Sequence, residues 1–241
     1  MTKNNVLLLV GRDDWQKDEA LNLTLLSRLR KNNVEIIWED PAAEVIYFLH
    51  KVEKKLIFLP KFIKQFNLRI VQILFCLLHP SYLIYLYKRK NKSILSRCES
   101  LKKIICKRGI AARTIVLSRS SGGRVSSLIA DELGLKHIVC LGYPFKHPDQ
   151  GDEPARYSHL AHLRTPMLIF QGIHDEYGGL EIENKYVLSD KVKLFFLNTN
   201  HNFNINETIA HDIVEIIGNI ANSRSVQHGD VTTCRIDMKM P

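Results

Sequence analysis

Ser118-Arg119-Ser120-Ser121-Gly122-Gly123 lies between an apolar run, Arg113-Thr114-Ile115-Val116-Leu117, and a segment from Gly123 to Leu133. The apolar run is rich in β-branched residues and predicts a buried strand. In the segment after it, Val125, Leu128, Ile129 and Leu133 recur at helical spacing. A strand that turns this sharply into a helix needs small residues on either side of the turning residue, the pattern written G-x-S-x-G. Only Ser120 satisfies it, with Ser118 two positions before and Gly122 two after. Ser121 would put Arg119 at the tight position, and Ser118 would put Val116 there. Ser120 is therefore the candidate nucleophile.

Outward from this turn, apolar runs alternate with helical patterns. Asn5–Val10 predicts a fully buried strand stopped by Gly11, and Lys17–Lys31 a helix with Leu21, Leu25 and Leu29 on one face. Val34–Trp38 predicts a second strand and Ser96–Lys107 a helix. After the turn come strands over His137–Leu141, Pro166–Phe170 and Val192–Leu197, then a helix over Asn206–Asn222. Strands alternating with helices predict an α/β fold, a mostly parallel sheet with helices on both faces. The polar tail, residues 223–241, is expected to be disordered or loosely attached.

The chain of 241 residues suits one domain, or one domain with an insertion. Five cysteines (Cys76, Cys98, Cys106, Cys140, Cys234) are scattered and lack C-x-x-C spacing. That argues against a disulfide framework and a zinc site, so no metal or other cofactor is expected, and a cytoplasmic location is. Met1–Asn5 leads into a short apolar run with no cleavage-like site, so no leader peptide is expected. The net charge of +9 is unevenly placed: residues 51–92 hold ten Lys or Arg and one acid, Glu53, while the rest balances at 24 of each sign.

Three strand ends carry Ser, Asp and His in that chain order: Ser120, then Asp175 in Gln171-Gly172-Ile173-His174-Asp175, then His201 in Asn198-Thr199-Asn200-His201. Reactive groups in an open parallel sheet collect at the carboxyl ends of its strands. A serine hydroxyl attacks well only when a base takes its proton. His201 is the expected base, and Asp175 the group that orients it and stabilises its imidazolium. His174 stands beside the acid; His159 and His162 read as ordinary loop histidines. Arg119 and Arg124 flank the turn, either as surface or salt-bridge residues or as readers of a substrate carboxylate.

From about Thr114 to Phe203 the chain resembles an α/β hydrolase of the dienelactone-hydrolase-like kind. Ser-Arg-Ser-Ser-Gly-Gly-Arg at 118–124, Leu-Gly-Tyr-Pro-Phe at 141–145 and Gln-Gly-Ile-His-Asp-Glu-Tyr-Gly at 171–178 are similar to a subgroup with the elbow Gly-Arg-Ser-x-Gly-Gly-Arg. The resemblance implies an α/β-hydrolase fold that begins at what corresponds to the family's third strand. It implies a serine hydrolase acting on a small-molecule ester or thioester through acyl-Ser120. Ser118 stands where the family usually has Gly, and Gly11-Arg12-Asp13 where many relatives have a His-Gly pair that supplies an oxyanion-hole amide. The Ser121 amide is the first expected oxyanion donor, with Arg12 or Asp13 as the second. The subgroup also includes scaffold members, so an inactive binding subunit is the alternative reading, and an acyltransferase with the same triad is chemically adjacent.

Residues 44–92 form an insertion between two parts of the core, 1–43 and 93–222. Its apolar residues are interleaved with lysines, and Pro60 and Pro80 divide it into short predicted helices. Arg69, Gln72 and His79-Pro80 interrupt the apolar runs, so no membrane span is expected. Two roles fit: a helical cap whose apolar faces line an acyl pocket, or a basic amphipathic surface contacting an anionic membrane or acidic partner. Nucleic acid fits less well, because aliphatic residues are too numerous.

Overall fold

The computed structural model describes residues 5–11, 25–31, 35–40, 60–80, 93–203 and 205–222. Its centre is a six-stranded sheet built from β1 (Val6–Val10), β2 (Glu35–Trp38), β3 (Thr114–Arg119), β4 (His137–Leu141), β7 (Met167–Gly172) and β8 (Val192–Leu197). The strand order is β2-β1-β3-β4-β7-β8 and every neighbouring pair is parallel. All carboxyl ends therefore lie along one edge. The order reverses between β1 and β3, which opens the crevice where such sheets place ligands.

Alternation along β1 shows why both faces are covered. Val6, Leu8 and Val10 share a core with Cys98, Leu101 and Ile105 of α3 (Ile94–Arg108) and with Val125 and Ile129 of α4 (Ser121–Leu133). Leu7 and Leu9 point to the opposite core, with Leu29 of α1 (Ser27–Lys31) and Ile213, Val214 and Ile217 of α6 (Glu207–Asn222). A two-residue period with both sets buried is what a parallel central strand requires.

The sequence expectation and the fold agree closely in the core. The turn-helix begins at Ser121, and a short 3-10 turn, Ala111–Arg113, precedes β3. Of the helix expected over Lys17–Lys31, residues 17–24 lie outside the described residues. From the insertion, one helix is described between the two prolines, α2 (Lys61–Leu78); residues 44–59 and 81–92 lie outside the described residues, as does the tail 223–241. Three features were not anticipated: a small antiparallel hairpin of β5 (Lys146–His147) and β6 (Gly151–Asp152), 3-10 turns over residues 154–162, and α5 (Ile182–Lys185).

Candidate active site

Ser120 sits at the junction of β3 and α4 with φ 49° and ψ −124°, a conformation that L-residues rarely hold. The neighbours that permit it are small for identifiable reasons. A Cβ on Gly122 would stand 2.6 Å from the Val10 carbonyl oxygen, so helix α4 can begin against the end of β1 only with glycine there. A Cβ on Gly123 would meet Cys140 Sγ at 2.3 Å. Ser118 is fully buried, and its hydroxyl donates to the Val139 carbonyl at 3.1 Å, which accommodates a side chain at the tight position. Burial pushes the Cys140 thiol up to about 12, so it remains protonated beneath the turn.

Three strand ends bring Ser120, His201 and Asp175 together. Ser120 Oγ lies 3.1 Å from His201 Nε2. On the far side of the ring, His201 Nδ1 lies 2.9 Å and 3.0 Å from the two Asp175 oxygens. A carboxylate only accepts, so the proton sits on Nδ1 and donates to Asp175. The Nε2 lone pair then faces the Ser120 hydroxyl, which donates to it. Hydroxyl, imidazole and carboxylate in this order can move a proton off Ser120 as the oxygen attacks an electrophile. Ser120 is partly exposed at the sheet edge, so the hydroxyl can be reached.

The Asp175 side chain is 0% exposed and would carry a buried charge at a cost without compensation. It receives three kinds of donor: the His201 ring, the Tyr177 backbone N–H at 2.8 Å and the Gln171 side-chain amide at 2.9 Å. Gln171 is fully buried at the end of β7, donates also to the Gly178 carbonyl at 2.7 Å and accepts the Tyr143 N–H at 2.8 Å. Gly142 has φ 67°, and a Cβ there would approach Asp175 Oδ2 at 3.3 Å and His201 Nδ1 at 3.4 Å. The Tyr177 ring lies 4.3 Å from the imidazole, centroid to centroid.

Arg119 is a buried residue bonded to backbone carbonyls, not a surface one. It is 4% exposed, and its Nη2 donates to the carbonyls of Asn202 at 2.8 Å and His201 at 3.3 Å. The residue before Ser120 thus ties the loop that carries His201 to the turn that carries Ser120. Arg124 donates to the Ala155 carbonyl at 3.1 Å. Ser121 opens α4, so its N–H has no acceptor within the helix and is free of the backbone ladder; its hydroxyl accepts from Arg97 at 2.9 Å. Arg12 and Asp13 lie outside the described residues. His174 is exposed, and His159 bonds the Ser127 hydroxyl at 2.8 Å, away from the Ser120–His201 pair. Gln171 and Arg119 are the supporting residues whose contacts the sequence pattern does not give. Each is a polar side chain at the end of an otherwise apolar strand, which is the signal that could have found it.

The family model described as an alpha/beta hydrolase domain matches residues 85–226. No curated protein sequence matches the chain. Among solved structures, one similar fold is a protein assigned to the alpha/beta hydrolase superfamily from Xanthomonas campestris pv. campestris. It is 11% identical, with a TM-score of 0.52 over 88% of this chain and 98% of that one. The esterase domain of a Rhodothermus marinus protein is 12% identical, with a TM-score of 0.53 over 89% and 85%. A membrane phospholipase A described as a bacterial virulence factor is 12% identical, with a TM-score of 0.51 over 92% and 81%. At such identities the likeness is one of fold.

Proposed function

The chain belongs to the α/β-hydrolase family, and on that premise we propose that it is a serine hydrolase cleaving a carboxylic ester or thioester. The observation that carries this reading is the 3.1 Å contact of Ser120 Oγ with an imidazole whose other nitrogen is held by a buried carboxylate. A fold retained only as a binding subunit has no need to keep that contact, or to hold Ser120 at a strained φ of 49°.

In the proposed reaction His201 Nε2 takes the Ser120 proton as Oγ attacks the acyl carbon. The Ser121 N–H, at the positive end of α4, stabilises the oxyanion, and Arg12 is the proposed second donor. The leaving alcohol or thiol departs with the proton from His201. Water, deprotonated in turn by His201, then releases the acid from acyl-Ser120. Asp175 holds the ring in place and stabilises its charge. The elbow Ser-Arg-Ser-Ser-Gly-Gly-Arg supports acyl transfer to Ser120, and the esterase among the similar folds is in keeping with ester chemistry.

A fluorophosphonate probe tests the assignment. Wild type should be labelled at Ser120, and Ser120→Ala should lose labelling and at least about 10⁴-fold of turnover on p-nitrophenyl or acyl-thioester substrates. Labelling that persists in Ser120→Ala, or a folded wild type that is never labelled, overturns it. Faster turnover with an added alcohol than with water alone would assign an acyltransferase instead.

A further inference from the structure

Helix α2 presents an apolar face to solvent. Phe62, Phe66, Ile70, Ile73, Leu74 and Leu77 fall at i, i+4, i+8, i+11, i+12 and i+15, an arc of roughly 120° at 100° per residue. Phe62 is 70% exposed, Phe66 63%, Ile73 60% and Leu77 71%. A helix whose apolar stripe served the protein's own core would hide those residues, as α6 hides Ile213 and Ile217.

Charge selects what covers it. The helix carries Lys61, Lys64 and Arg69 and no acidic residue. Arg69 is exposed and borders the apolar arc, about 20° from the line of Phe62. The surrounding stretch, residues 51–92, holds nine more positive than negative charges (ten basic, one acidic). A second copy of the same helix would oppose these positive charges with its own and offer no carboxylate in return. An anionic lipid surface satisfies both features, taking the apolar arc among its acyl chains and the cations at its headgroups. The helix is 18 residues long, and among the described residues no helix is long and apolar enough to cross a membrane. It therefore suits the plane of the interface.

We propose that helix α2 docks the protein onto anionic lipid, lying parallel to the membrane with Phe62, Phe66, Ile73 and Leu77 inserted. The proposal does not depend on the Ser120 chemistry, and its test uses the full-length Ser120→Ala protein so that lipid turnover plays no part. Sucrose-loaded vesicles of phosphatidylcholine, with or without roughly one third phosphatidylglycerol, are sedimented with the protein. Anionic vesicles should bind at least about tenfold more tightly than neutral ones, with binding weakened by salt. Ile73→Glu combined with Leu77→Glu should cost about tenfold or more, and Arg69→Glu a few-fold. Circular dichroism of each variant, and fluorophosphonate labelling when the same changes are made with Ser120 intact, report on folding separately. Equal binding to neutral and anionic vesicles overturns the proposal, as does binding unaffected by the paired glutamates. A dimer seen by sedimentation equilibrium that those glutamates dissolve, without vesicle binding, assigns the face to a second copy and also overturns it.

Discussion

Arg119 shows how much of the proposed reactive centre rests on a residue bonded to backbone. Its guanidinium spans from the end of β3 to the carbonyls of His201 and Asn202, so it sets the distance between hydroxyl and imidazole through the backbone. Truncation would leave those carbonyls without their charged donor in a buried place, a loss of about 1–3 kcal/mol. Much of that loss would appear as displacement of the His201 loop. Arg119→Ala is expected to lower kcat by roughly 10- to 100-fold with little change in KM, since a misplacement of about 1 Å costs that much. Arg119→Lys, which keeps one charged donor, should recover part of it. A variant that loses affinity for substrate but keeps kcat would instead make Arg119 a substrate contact. Steady-state kinetics on one ester separates the two outcomes.

At the scale of elements, the junction of β1, β3 and α4 is the tightest joint in the fold. Gly122→Ala would drive a methyl to 2.6 Å from the Val10 carbonyl oxygen, and both sides of that contact are backbone. The helix must shift, at a cost of about 1–3 kcal/mol, and Ser120 shifts with it. The expected result is a lower thermal midpoint together with much slower labelling of Ser120; a variant that labels at the wild-type rate would show the joint to be slack. These elements were legible in the sequence because period and turn chemistry are local. Val6–Val10 is continuous, apolar and buried throughout, His137–Leu141 and Val192–Leu197 are largely apolar, and the Ser-x-Ser-x-Gly spacing admits one turning residue. The β5–β6 hairpin was not legible, since two-residue strands joined through Pro148-Asp149-Gln150 leave too short a pattern to register. Nor could periodicity show that Gln171 bridges Asp175, Gly178 and Tyr143, for that depends on which strand ends become neighbours.

For the whole molecule, two histidines outside the site contribute to behaviour in mild acid. Burial pushes His137 down to about 4, and burial aided by the nearby Arg124 charge pushes His159 down to about 4 as well. Both are therefore neutral in the folded protein where the unfolded chain, with an ordinary value near 6.5, already takes up protons. The unfolded state binds more protons between about pH 6.5 and 4, so stability falls as pH drops through that window and is unaffected by these groups above it. Thermal midpoints measured from about pH 7.5 to 4.5 should decline, and His159→Gln, which can keep a bond to Ser127, should flatten the decline. An unchanged slope in that variant would remove His159 from the account. The parallel sheet has a further consequence, in time rather than space. Ser120 and His201 are 81 residues apart, and the strand preceding His201 is the sheet's outer one, β8. At roughly 5–20 residues per second, a ribosome releases the serine several seconds before its partner histidine. During that interval the nascent chain carries a hydroxyl without its imidazole, so the proposed chemistry can begin only when the last strand is laid down.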